Sequence, residues 1–192
     1  MARRPPSSTT AASAATCCAT CRTPWWNYTG STTTAGQLTV TDATTASGYK
    51  AKAVEGFPAD TIVWAIDQNG IAERPHVVVS GINIGQNIGP DTEISGTVGA
   101  AMEGYLFGIP AIAFSQVDKG WGEIDAAASK AAEIVSQMSA RSLMGESPWL
   151  LNVNIPNLPL EAMRPLKICR LGRRHAAERV IVQESPRGEA MY

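Results

Sequence analysis

Residues 75 to 115 limit what this chain can fold into more than any other stretch. Pro75 opens an apolar run, His76-Val77-Val78-Val79, that is short, β-branched and closed by Ser80-Gly81, as expected of a strand buried on both faces. A polar loop punctuated by glycine follows from Gly81 to Asp91, containing Asn83, Gly85, Asn87 and Gly89. Ser95-Gly96-Thr97 then supplies capping hydroxyls for a helix through Phe107, and Gly108 stands where a helix usually ends. Ile109 to Ser115 returns as a second strand. A strand, a crossover helix and a parallel strand connect almost only right-handedly, so the loop and the helix N-terminus must share the carboxyl edge of the sheet. Open α/β sheets bind ligands at that edge.

The chemistry available there favours an anion. Small residues let the backbone approach a ligand, the hydroxyls of Ser95 and Thr97 donate hydrogen bonds, and amides at a helix start attract negative charge, so phosphate is the natural guest. Asn83 and Asn87 add side-chain carbonyl oxygens, which a hard divalent cation accepts but binds weakly without carboxylates. The alternative is that these glycines and asparagines only shape turns.

The run Val79-Ser80-Gly81-Ile82-Asn83 with Gly85 and Asn87, followed by Ser95-Gly96-Thr97-Val98 and Ala101-Met102-Glu103-Gly104, resembles the survival protein E (SurE) family of metal-dependent nucleotidases. Glu55-Gly56-Phe57-Pro58-Ala59-Asp60 is similar to that family's Gly-x-Pro-Ala-Asp segment. Leu151-Asn152-Val153-Asn154-Ile155-Pro156 and Cys169 to His175 resemble its later part. The resemblance runs from about Thr39 to Tyr192 and fails over residues 1–26. It implies a doubly wound, Rossmann-like α/β domain, a three-layer sandwich with a mostly parallel sheet. It also implies hydrolysis of nucleoside 5′- or 3′-monophosphates with magnesium or manganese. On the matching positions, Asn83 would be a metal ligand, and Ser95, Gly96 and Thr97 would bind phosphate. Asn27-Tyr28-Thr29-Gly30 resembles a family loop whose hydroxyl is a metal ligand, which gives Thr29 that place, with Ser31 as a rival.

One departure bears on mechanism. The family places Asn-Asp-Asp-Gly near its N-terminus, with both aspartates on the metal, whereas this chain has no acidic residue before Asp42. A magnesium-type ion wants at least one or two carboxylates, so the catalytic pair is without a counterpart here. If Ser8 to Ala11 are encoded TCG-ACG-ACG-GCN, a frame one base earlier reads Asp-Asp-Gly across Thr9, Thr10 and Ala11, and the nucleotide sequence decides this. A non-catalytic nucleotide- or phosphate-binding module is the competing function.

The remainder of the chain fits one globular domain: 192 residues, 44% apolar, with a net charge of −1 that suggests no nucleic-acid surface. No run of about 18 apolar residues suggests a membrane span. Residues 1–26 form an irregular or disordered segment without the apolar core of a secretion signal, so a cytoplasmic protein is expected, and residues 27–192 form the SurE-like domain. Cys17, Cys18 and Cys21 lack a nearby fourth zinc ligand. Short strands are expected at Leu38 to Val40 and Tyr49 to Val54, and a helix from Pro58 to Asn69-Gly70 with Asp60 as a first-turn charge. A longer helix over residues 123–140 and a strand from Trp149 to Ile155, polar on one face through Asn152 and Asn154, complete the pattern. Beyond Pro156 the chain turns basic and reads as a solvated face. By the resemblance this region begins an extension used in subunit contacts, which the family carries past Tyr192. A homodimer or tetramer would follow if that extension were complete.

Overall fold

The computed structural model describes residues 16–18, 37–45, 47–68, 70–117, 122–142, 147–173, 183–184 and 190–191. Three parallel strands, β4 (Val78–Ile84), β5 (Ala111–Gln116) and β6 (Leu150–Ile155), make the sheet that carries the polar edge, in the order β4-β5-β6. A second sheet has the order β1-β3-β2, built from β1 (Thr16–Cys18), β2 (Thr39–Thr44) and β3 (Lys50–Glu55). In it β3 is parallel to β1 and antiparallel to β2. The small ribbon of β7 (Gln183–Glu184) and β8 (Ala190–Met191) is separate. β1 lies within residues 1–26, and the parallel sheet is β4-β5-β6.

Helices cover both faces of the β4-β5-β6 sheet, giving the three layers expected. On one face α2 (Gly96–Leu106) packs Val98 and Ala101 against Val78, Ala111 and Ala113, and Ile62 and Ile66 of α1 (Pro58–Asp67) join them. On the other, α3 (Ile124–Ser142) sets Ala127, Ala131 and Ile134 against Ile112, Phe114 and Ile155. The alternation of β5 is the reason: Ala111 and Ala113 point one way, Ile112 and Phe114 the other, and every residue of the strand is buried. The strand buried on both faces is therefore β5 and not β4, where Val78 is buried but Val79 is 48% exposed. Among the described residues β4 is the sheet's edge.

Two expected boundaries shift for physical reasons. The segment Gly81 to Ile84, expected as loop, continues β4 through a register shift between Ser80 and Asn83. Gly81 permits the shift: its φ is +110°, and a Cβ there would collide with the Phe114 carbonyl. The helix α2 ends at Leu106 rather than Phe107, with Gly108 at φ +74° and the Arg74 guanidinium donating to the Phe107 carbonyl. In α1, Asp60 acts as a cap, its buried carboxylate accepting from the Phe57 amide at 2.9 Å. After β6, Met163 packs under α3. The chain then runs exposed and without regular structure to Arg173, where the Gly172 carbonyl lies 3.0 Å from the place a Cβ on Gly89 would take.

Candidate functional site

The paired register puts three polar residues in one row across the sheet. Asn83 of β4 stands opposite Ser115 of β5, and Ser115 opposite Asn154 of β6, close to the carboxyl ends of all three strands. One step back, Asn152 stands opposite Ala113, which belongs to the core beneath α2, so the row lies on the α2 face. The direction of α2 follows from its far end. Gly104 sits on Val78 at the start of β4, so Ser95, Gly96 and Thr97 lie toward the other end of that strand, where Asn83 is. Ser95 is the N-cap, its Oγ accepting from the Val98 amide at 3.2 Å. The first helical bond runs from Gly99 N to Ser95 O at 2.8 Å, which puts the Gly96 and Thr97 amides ahead of the helix's own pairing. The hydroxyl hydrogen of Ser95 remains available to an anion while its oxygen caps the helix.

Asn83 and Asn87, both read as sources of side-chain carbonyl oxygens, differ in the structure. The Asn83 side-chain amide donates to Gly85 O at 2.8 Å within the turn after β4. Asn87 is 6% exposed and belongs to the scaffold. Its amide donates to Asn154 Oδ1 at 2.9 Å and its Nδ2 to Ser115 Oγ at 2.7 Å. Its carbonyl accepts from Asn152 Nδ2 at 2.8 Å and Asn154 Nδ2 at 3.0 Å. Burial forces this pairing, because an unpaired amide there would be costly. A second network lies below: Gln116 Nε2 and the Glu123 amide both donate to Asn157 Oδ1, at 2.7 and 3.1 Å. Alternation along Asn152-Val153-Asn154-Ile155 marks a polar face in the sequence; the partner, some 65 residues away in Asn87, is visible only in the fold.

The donors of this edge are neutral. Among the described residues no group of three His, Cys, Asp or Glu side chains could hold a metal ion. Asp42, the first carboxylate in the sequence, sits on β2 in the other sheet and forms an ion pair with Lys52. That hydrogen bond, together with the charge of Lys52, holds the exposed Asp42 carboxyl below the usual aspartate range. Asp42, Thr44 and Lys50 also line a depression on this hairpin, remote in topology from the polar row. Asp91 and Glu93 lie in the 3-10 turn Gly89–Ile94 that leads into Ser95, with Glu93 exposed. The row Asn83, Ser115 and Asn154 itself supplies no carboxylate, the ligand a magnesium-type ion takes. Thr29 and Ser31 lie outside the described residues.

A parallel sheet with helices on both faces and a polar carboxyl edge beside a capped helix N-terminus defines an open α/β domain, the class in which ligands meet the carboxyl ends of the strands. The family model for survival protein SurE matches residues 9–178, and the chain belongs to that family. The match begins well before Thr39, so the likeness extends further toward the N-terminus than the motifs alone suggest. The chain is 60% identical over 139 residues to a 5′-nucleotidase SurE of Albidiferax ferrireducens, covering 72% of this chain and 54% of that protein. Against a 5′-nucleotidase SurE of Polaromonas naphthalenivorans it is 56% identical over 156 residues, covering 78% and 59%. The chain thus spans little more than half the length of the curated relatives it matches. The crystal structure of a SurE protein from Aquifex aeolicus superposes with a TM-score of 0.61 at 32% identity, covering 80% of this chain and 61% of that one.

Proposed function

We propose that this chain carries the phosphoryl-binding part of a 5′-nucleotidase site, taking the phosphate of a nucleoside 5′- or 3′-monophosphate at the start of α2. The observation that carries the reading is the row Asn83, Ser115 and Asn154 beside the capped helix, in a chain whose relatives are named 5′-nucleotidases. In this role the Gly96 and Thr97 amides and the Ser95 and Thr97 hydroxyls hold the phosphoryl oxygens. Asn83, fixed by its bond to Gly85, orients the group.

Hydrolysis to nucleoside and phosphate, with magnesium or manganese, is the reaction that kinship suggests. The neutral donor set favours the second reading, a site that binds the phosphomonoester and turns it over negligibly. Phosphate release from nucleoside monophosphates, measured with either metal and with a chelator, separates the two. Metal-dependent turnover supports catalysis; calorimetric binding without turnover supports the second reading, and neither binding nor turnover removes both. For assembly, we propose contacts between copies of the chain along residues 164–173, where Leu166, Ile168 and Leu171 are exposed.

A further inference from the structure

We propose that Asn154, assisted by Asn152, is a positioning residue for the phosphoryl site, acting through the main chain of Asn87; this rests on the function proposed above. Asn87 follows β4, yet its main chain is held by β6, two strands away. The Asn154 carboxamide does what a neighbouring strand would do: its oxygen accepts from the Asn87 amide at 2.9 Å, and its Nδ2 donates to the Asn87 carbonyl at 3.0 Å. Asn152 Nδ2 fills the second acceptor position of that carbonyl at 2.8 Å. Ser115, from the strand between, takes the Asn87 side chain at 2.7 Å.

The stretch between is fixed as well. Gly85 N donates to Gln116 O at 3.0 Å, and Asn83 Nδ2 donates to Gly85 O at 2.8 Å. The chain is thereby led across the carboxyl ends of β5 and β6 before the turn Gly89–Ile94 returns it to Ser95. The clamp thus fixes the course of the loop that joins Asn83 to the α2 N-terminus.

A carboxamide is needed for electronic reasons. Aspartate at 154 has the same shape and keeps the acceptor, but sets a carboxylate oxygen against the Asn87 carbonyl in place of a donor.

Binding of adenosine 5′-monophosphate and of inorganic phosphate to the full chain, Asn154→Asp and Asn152→Leu tests this, at a temperature where circular dichroism shows each folded. Asn154→Asp is expected to weaken binding by about tenfold or more, as supporting-residue changes do at other sites. A residue that served stability alone would lower the unfolding midpoint and leave the affinity of the folded protein unchanged, and that result overturns the proposal. If the parent chain binds neither probe, the functional reading fails, and the clamp is judged by hydrogen exchange at the Asn87 amide. Faster exchange in Asn154→Asp upholds it and equal exchange overturns it. Should Asn154→Asp not fold, Asn152→Leu and Ser115→Ala decide by the same two readouts.

Discussion

Gly104 lies directly on Val78, so close that a Cβ on the glycine would stand 2.6 Å from Val78 Cγ2 and 2.7 Å from its Cβ. The contact sets the distance between α2 and β4 and places the helix N-terminus over the polar edge. Alanine at 104 gains helix propensity of about 1 kcal/mol over glycine. Because Val78 Cβ is rigidly attached to the strand, the overlap forces helix and sheet apart. Gly104→Ala is expected to destabilise the protein by about 1 to 2 kcal/mol net, the upper part of the overpacking range less that gain. Urea unfolding checks this, and an unchanged or raised midpoint would show that the layers separate freely.

Asp60 closes the first turn of α1 by accepting from the Phe57 amide, and it is 5% exposed. Asp60→Ala should cost about 0.5 to 2 kcal/mol, as loss of a helix cap does. Since α1 packs on α2 and not on the polar row, phosphate affinity of the folded variant should be unaltered. Thermal unfolding and calorimetric titration of the same sample check both halves.

Asp42 titrates below the ordinary aspartate value of about 3.9 because Lys52 hydrogen-bonds to it and attracts its charge. A pKa lowered in the folded state stabilises that state above the unfolded value, and the contribution disappears as pH falls through the folded value. Lys52→Met should therefore raise the Asp42 midpoint toward the ordinary value, with parent and variant converging in stability only under strongly acidic conditions. Carboxyl-carbon NMR titration measures the midpoint; the same midpoint in both proteins would show that the pair does not persist in solution.

At millimolar magnesium or manganese the chain should turn over nucleoside monophosphates negligibly, because the row Asn83, Ser115 and Asn154 is neutral and a hard cation needs carboxylates. Loss of a single supporting residue around a metal typically costs 10- to 100-fold in affinity, and two charged ligands should cost more. Turnover at about 1 per second or faster would show that the metal site lies elsewhere. Asp42, Asp91 and Glu93 are then the carboxylates to replace first.

The strand, helix, strand order between Pro75 and Ser115, the cap at Ser95 and the stop at Gly108 are legible in the sequence, because capping, glycine conformation and apolar periodicity act within a few residues. The family's motifs are legible for the same reason, being short and contiguous. Other features depend on pairing between distant segments. Gly81 to Ile84 looks like loop until β5 supplies hydrogen bonds that extend β4 through it. The alternation of Asn152 and Asn154 announces a polar face but cannot name Asn87 as its partner. Asn83 and Asn87 are chemically alike in sequence, and burial separates them: Asn87 is enclosed and its amide, carbonyl and Nδ2 are paired with β5 and β6, whereas Asn83 bonds within its own turn at the edge. Local chemistry chose the elements; burial and strand register, properties of the assembled chain, decided how the polar side chains at the sheet's carboxyl edge are paired.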